Sequence, residues 1–264
     1  MAGAASRNRT PGPSPMNFLP SEWIDRVAST NTTLVQRLEN GVLLPAGTVL
    51  ATDEQTAGRG RGEHQWLTNP GRDLACSFVM HAEVDARDLC SLSMAVALGV
   101  ADLLDGFGIV AQTKWPNDVV VGQHKICGIL PELPSHPAKG KGPAVVVVGV
   151  GLNVGMSLDE ASAIDQPATS VNIETGMSSA ARDLLPGLLT ALAPRLEGWM
   201  EGGFAALRQD WESHCTGLGQ RVTVIDDDSR RQGILAGFGD VGQLRLREEG
   251  ETVDVWTGHL RLNS

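Results

Sequence analysis

Hydrophobic and polar positions follow two periods along this chain, and the change of period marks its elements. Residues Phe18–Val27 are mixed and predict a segment ending in a strand. Leu34, Val35 and Leu38 then recur at helical spacing behind Ser29-Thr30-Asn31, and Gly41 supplies a stop. Gly47–Asp53 and Asp73–His81 predict strands. Ala86–Leu104 carries the clearest helical stripe, through Leu92, Val96, Val100 and Leu103, closed by Gly106 and Gly108. Lys114–Leu133 predicts a hairpin. Pro116 breaks one strand, Asn117-Asp118 begin the next, Gly122-Gln123-His124 turn the chain, and a second strand starts at Lys125. The four consecutive valines within Pro143–Val154 predict a strand buried on both faces. Asp159–Thr169 reads as loop. Ala180–Met200 predicts a helix kinked or divided by Pro186 and Pro194, and Phe204–His214 predicts another.

After Gly217-Leu218-Gly219 the period shortens. Arg221–Ile225, Arg231–Phe238, Gln243–Arg247 and Glu251–Trp256 predict four short strands, with turns at Asp226-Asp227-Asp228, Gly239-Asp240 and Glu248-Glu249-Gly250. So few residues bury little alone, so this small barrel is expected to pack on the rest. Residues 1–15, with Pro11, Pro13 and Pro15 among Gly, Ser, Ala and Arg, predict a disordered tail. The expected organisation is a tail over 1–17, a main unit over 18–216 and a barrel over 217–264.

Composition narrows the function. The 264 residues are 42% hydrophobic and 20% charged, enough for a sizeable core. A formal net charge of −10 argues against nonspecific binding of nucleic acid or an anionic membrane by the whole surface. Cys76, Cys90, Cys127 and Cys215 show no paired spacing, which favours reduced thiols over a disulfide or zinc framework. The sequence shows no apolar run long enough for a span and no apolar N-terminal signal core, so the expected location is cytoplasmic.

Against that acidic background one basic stretch stands out. Asp53–Trp66 reads D-E-Q-T-A-G-R-G-R-G-E-H-Q-W. Gly58, Gly60 and Gly62 let backbone approach a ligand, while Arg59 and Arg61 offer forked donors to carboxylate or phosphate. The competing reading is a solvated turn. Ser29, Thr30 and Asn31 read either as plain helix capping or as a carboxylate site at a helix N-terminus. Lys125 lies within K-I-C-G-I-L, either on an edge strand facing water or turned to a ligand. Gly149, Gly151 and Gly155 miss the dinucleotide fingerprint by one residue, and no P-loop, G-x-S-x-G elbow or H-E-x-x-H motif is present.

The ordered set S-T-N at Ser29, Q-T-A-G-R-G-R at Gln55, K-W-P-N-D at Lys114, K-x-x-G-I-L at Lys125 and G-x-G-L-N-V at Gly149 resembles the bacterial biotin protein ligases over about residues 23–262. The resemblance implies an α/β (α+β) fold: a mixed sheet flanked by helices, class II synthetase-like, followed by an SH3-like barrel. It implies formation of biotinyl-5′-AMP from biotin and ATP, with Mg²⁺, then transfer of biotin to one lysine of a carboxyl carrier protein. Arg59 and Arg61 would clamp the carboxylate and phosphates. Lys125 would bridge them, Lys114 and Asn117 would sit by the nucleotide, and Asp118 would orient the incoming amine. Ser29, Thr30, Asn31 and Gln55 would hold biotin, with Gly60 and Gly128 letting it approach the backbone. Trp66 would close over the adenylate, and Asn153 would contact the nucleotide or the metal, for which no protein ligand set is otherwise implied.

Two departures from the family pattern matter. Fewer than 30 residues precede Ser29, so a form without a DNA-binding segment is expected, acting as a monomer or weak homodimer. Glu63 and His64 stand where the family usually carries a second Gly-Arg pair. A lipoate or octanoyl transferase of the same fold and a non-catalytic biotin sensor are the competing functions. The K-W-P-N-D block and barrel favour biotin over lipoate, and the negative charge speaks against the sensor.

Overall fold

The computed structural model describes residues 16–62, 64–83, 87–134, 143–164, 166–226 and 229–263. The expected tail over 1–15, Glu63, residues 135–142 and the expected turn at Asp227-Asp228 lie outside the described residues.

The chain begins β1 (Glu22–Val27), α1 (Thr30–Glu39), β2 (Val49–Gln55), β3 (Leu74–Ala82) and α2 (Leu92–Asp105), the last preceded by a 3₁₀ turn at Asp88–Ser91. Then come β4 (Gln112–Lys114), β5 (Asp118–Val121), β6 (His124–Glu132), β7 (Ala144–Leu152), α3 (Leu158–Ser162) and α4 (Val171–Thr175). The main unit ends with α5 (Ala181–Gly202) and α6 (Arg208–His214).

Seven strands form one sheet in the order β1-β2-β3-β7-β6-β5-β4. β1 and β2 run parallel, and the other neighbours are antiparallel. The valine run explains the layering. Val147 joins Leu34, Leu50 and Val79 under α1, while Val146 and Val148 join the main core shared with α2 and α5. Alternate side chains of β7 therefore serve opposite faces, as expected for a strand covered on both sides.

The structure differs from the sequence reading at several places. Leu158–Ser162 is a helix rather than loop. Its capping box, Ser157 with Glu160, satisfies end groups that periodicity over so short a run cannot reveal. α5 is not divided: it runs as one helix through Pro186 and Pro194. Each proline removes a helical bond, and burial of Leu184, Leu185, Leu188, Leu192, Leu196 and Trp199 along one face offsets that loss. Met16, assigned to the tail, is buried against the core, its amide donating to Glu197 Oε1 at 2.9 Å. The C-terminal unit has five strands rather than four: β8 (Arg221–Asp226), β9 (Ser229–Phe238), β10 (Leu244–Glu248), β11 (Glu251–Val255) and β12 (His259–Leu262), in the order β11-β10-β9-β8-β12.

That antiparallel SH3-like unit packs on the main unit as expected. Phe238 sits edge-on to Phe204 and Trp211, and Trp115 Nε1 donates to Gly242 O at 3.2 Å. One apolar core runs through both units.

Candidate active site

The C-terminal end of β2, the N-terminus of α1 and the glycine-bearing faces of β6 and β7 surround a cleft of about 400 Å³. Thirteen of the fourteen residues singled out from the sequence line it: Ser29, Thr30, Asn31, Gln55, Arg59, Gly60, Arg61, Trp66, Asn117, Asp118, Lys125, Gly128 and Asn153. Lys114 does not line it. It pairs with Asp118 across the β4–β5 hairpin, and its ammonium pKa is lowered first by burial and then by Lys125 and Arg261, against the pull of Asp118.

The capping reading of Ser29-Thr30-Asn31 holds. Ser29 Oγ caps α1 by accepting from Thr32 N at 3.4 Å, a contact of a kind that contributes about 1 kcal/mol. The three residues are also buried in the cleft wall. Thr30 donates through its amide (2.9 Å) and its hydroxyl (3.2 Å) to Gln55 Oε1. Ser77 lies behind them, with Oγ 2.6 Å from both Thr30 Oγ1 and Asn31 Oδ1.

The floor explains three glycines. A Cβ on Gly151 would stand 2.2 Å from the Trp66 ring, one on Gly128 would stand 2.9 Å from it, and one on Gly149 would stand 2.5 Å from Asn31 Oδ1. The two near-fingerprint glycines that lie in β7, Gly149 and Gly151, therefore meet a packing requirement. The Trp66 indole lies on this floor, its Nε1 is buried without a hydrogen-bond partner, and Lys125 Nζ lies 5.5 Å from the ring centroid.

Lys125 is not on an edge strand. β5 flanks it at Val120, and Ala168 pairs with it on the other side, with Lys125 N donating to Pro167 O at 2.8 Å. Its ammonium forms an ion pair with Asp118 at 2.6 Å, both partly buried. Asn153 holds the same region: its Nδ2 donates to Lys125 O at 3.3 Å and to Thr169 O at 3.0 Å. Asn117 Nδ2 likewise donates to Ile129 O at 2.8 Å.

The glycine–arginine stretch is a miniature hairpin rather than a bare solvated turn. Arg59 and Gln65 form a bridge, Gly60 N donates to His64 O at 2.8 Å, and Trp66 N donates to Gly58 O at 3.0 Å. Arg59 pairs with Glu132 at 2.9 Å. Arg61 donates to Gly258 O at 2.6 Å and to the Thr257 hydroxyl of the C-terminal unit. His64 meets His259 edge-on, with ring centroids 5.1 Å apart. His259 also lines the cleft, and its pKa is lowered by partial burial, then by Arg61 and His64.

Sequence reasoning missed Ser77, Glu132, Thr257 and His259. Nothing in their local pattern marks them; they reach the site through strand register and through docking of the C-terminal unit.

Residues 23–153 match the family model described as "Biotin/lipoate A/B protein ligase family". The chain is 33% identical over 248 residues to the biotin–[acetyl-CoA-carboxylase] ligase of Mycobacterium tuberculosis, covering 90% of this chain and 88% of that one. It is 31% identical over 232 residues to the enzyme of the same name from Paracoccus denitrificans, covering 84% and 92% respectively. This chain belongs to the biotin protein ligases. Among solved structures, the biotin protein ligase from Aquifex aeolicus in complex with biotin and ATP superposes on this ligase with a TM-score of 0.74 at 25% identity, covering 93% of this chain and 99% of that one. No helix among the ligase's described residues is long and apolar enough to cross a membrane.

Proposed function

We propose that this ligase joins biotin to ATP as biotinyl-5′-AMP and passes the biotinyl group to one lysine of a biotin carboxyl carrier domain. In the first step a carboxylate oxygen attacks the α-phosphorus and pyrophosphate leaves. In the second the lysine nitrogen attacks the acyl carbon, an amide forms and AMP leaves. The observation that carries this reading is the convergence of Lys125, Arg59 and Arg61 on one cleft with an uncharged polar wall and a glycine floor. The wall suits a small polar ring with an apolar tail; the cations suit two anions that must be brought together.

The residue roles follow from that chemistry. Lys125, partly shielded from water, stabilises charge shared between the carboxyl oxygen and the α-phosphate. Arg59 and Arg61 hold carboxylate and phosphates by forked hydrogen bonds, and Lys114 adds positive potential from behind the hairpin. Asp118, released from Lys125 when an anion takes its place, is positioned to accept from the incoming amine. Ser29, Thr30, Asn31 and Gln55 hold biotin against Gly60 and Gly128, while Trp66, Asn117 and Asn153 border the nucleotide. Among the described residues no three His, Cys, Asp or Glu side chains group as metal ligands. Magnesium belongs, in this reading, to the triphosphate.

Residues 18–216 act as the catalytic unit and 217–264 as the small unit that contacts its loop. Action as a monomer or weak homodimer belongs to the same reading, and the net charge of −10 supports a role without DNA. A cytoplasmic location is part of the same reading. The test is incubation with ATP, a carrier domain and either biotin or lipoate, followed by mass spectrometry of the carrier. One lysine gains a biotinyl group and none gains a lipoyl group. No modification, or lipoylation alone, overturns the reading.

A further inference from the structure

A closed chain of polar contacts runs behind the cleft, and both its ends belong to the same loop. It starts at Arg59 inside the hairpin, passes through Glu132 to Asn31, Ser77 and Thr30, and ends at Gln55, where the loop leaves β2. Glu132 is the member that joins the two halves. Oε1 takes Arg59 at 2.9 Å, and Oε2 takes Asn31 Nδ2 at 2.8 Å. It is seated near the end of β6, in register with Val147 of β7, with only 18% of its side chain exposed. It does not line the cleft.

An ionised carboxylate only accepts. It therefore fixes the Asn31 amide with nitrogen toward itself and toward Leu130 O (2.9 Å), leaving Oδ1 turned to Ser77 and the cleft side. Asn31 can then offer a ligand an acceptor and no donor. The other oxygen holds the Arg59 guanidinium at the edge of the cleft before any ligand arrives.

We propose that Glu132 is a positioning residue of the ligase reaction: it orients the Asn31 amide for the polar ring of biotin and holds Arg59 ready for the anionic groups. This rests on the ligase reading above. An anion entering the cleft takes one arm of the Arg59 fork, while Glu132 keeps the loop tethered through the other.

Two substitutions separate the two oxygens. Glu132→Gln keeps an acceptor for Asn31 Nδ2 but turns an amide nitrogen toward Arg59. Glu132→Ala removes both partners. Biotin-dependent exchange of pyrophosphate into ATP reads adenylate formation. For Glu132→Gln, kcat is expected to fall about fivefold, the scale of a half-exposed charged pair, with the KM for biotin within about twofold of wild type. For Glu132→Ala, the KM for biotin is expected to rise about tenfold on top of that fall, because Asn31 loses a charge-assisted bond. Thermal unfolding of both variants identifies the folded fraction to which rates are referred. Unchanged kcat in Glu132→Gln overturns the proposal, as does an equal rise of biotin KM in both variants. An equal fall of kcat in both with no KM difference assigns Glu132 a structural role only, and also overturns it. Wild-type enzyme assayed alongside separates the two readings: if it shows no biotin-dependent exchange, the ligase function itself is wrong.

Discussion

Replacing Gly151 by alanine tests the floor of the cleft with one methyl group. Gly151 lies within β7, hydrogen-bonded to neighbours on both sides and opposite Ala75 and Gly128, so the strand has no room to retreat. Its backbone is outside the positive-φ set, so alanine adds no backbone strain. The effect is steric. The new Cβ would stand 2.2 Å from Trp66 Cε2, 2.4 Å from Nε1 and 2.7 Å from Cζ2, where carbon contacts settle near ~3.5–4.0 Å. The rigid indole must therefore lift by more than ~1 Å, and so must anything else that lies flat there. Lifting exposes on the order of 80 Å² of ring, about 2 kcal/mol. Release of the unpartnered Nε1 to water returns roughly 1 kcal/mol of that. The net cost of about 1 kcal/mol lowers Tm by roughly 2–4 °C for a chain of this size. Ligand binding suffers more, because an overpacked contact costs ~1–3 kcal/mol, a loss of biotin affinity of at least about fivefold. Equilibrium dialysis with labelled biotin, scanning calorimetry and tryptophan emission read the three effects. Wild-type biotin affinity in Gly151→Ala would refute the claim that ligand and indole share this floor.

Two further outcomes follow from the electrostatics. Lys125→Ala is expected to slow adenylate formation about a hundredfold, since one charge-assisted donor to the transition state contributes ~3 kcal/mol, while the fold survives; near wild-type pyrophosphate exchange would contradict its role. Glu160 is held at about 2 by its hydrogen bonds to Arg72 and to Ser157. A carboxyl depressed on folding contributes stability that is present above its unfolded value near 4.5 and lost as pH falls toward 2. The pair is substantially exposed, so the effect is modest: Glu160→Gln should flatten part of the acid limb in a denaturation series between pH 5 and 2, and an unchanged acid limb would count against it.

Much of the architecture was legible in the residues because local pattern and burial agree. The valines of β7, the stripe of α2 and the cap of α1 each report an environment repeated over several positions, so periodicity identifies them. The site motifs were legible for a different reason. Glycines that admit a ligand and cations that meet an anion are few, and their order along the chain is specific. What periodicity does not hold is a single contact between distant strands. Glu132 looks like an ordinary polar residue at a strand end; only the register of β6 against β7 and the position of α1 bring it between Arg59 and Asn31. Lys125 has the pattern of an edge position, and it is interior because the segment at Ala168 returns to pair with it. Arg61 reads as a loop residue facing a ligand and His64 as a departure within the same loop, yet Thr257, Gly258 and His259 of the C-terminal unit are their neighbours. The ordered motifs, through the family they resemble, indicated which chemistry this chain carries. Strand order and the docking of the two units decided which protein groups hold that chemistry in place, because those contacts join residues up to 197 positions apart whose proximity no local preference encodes.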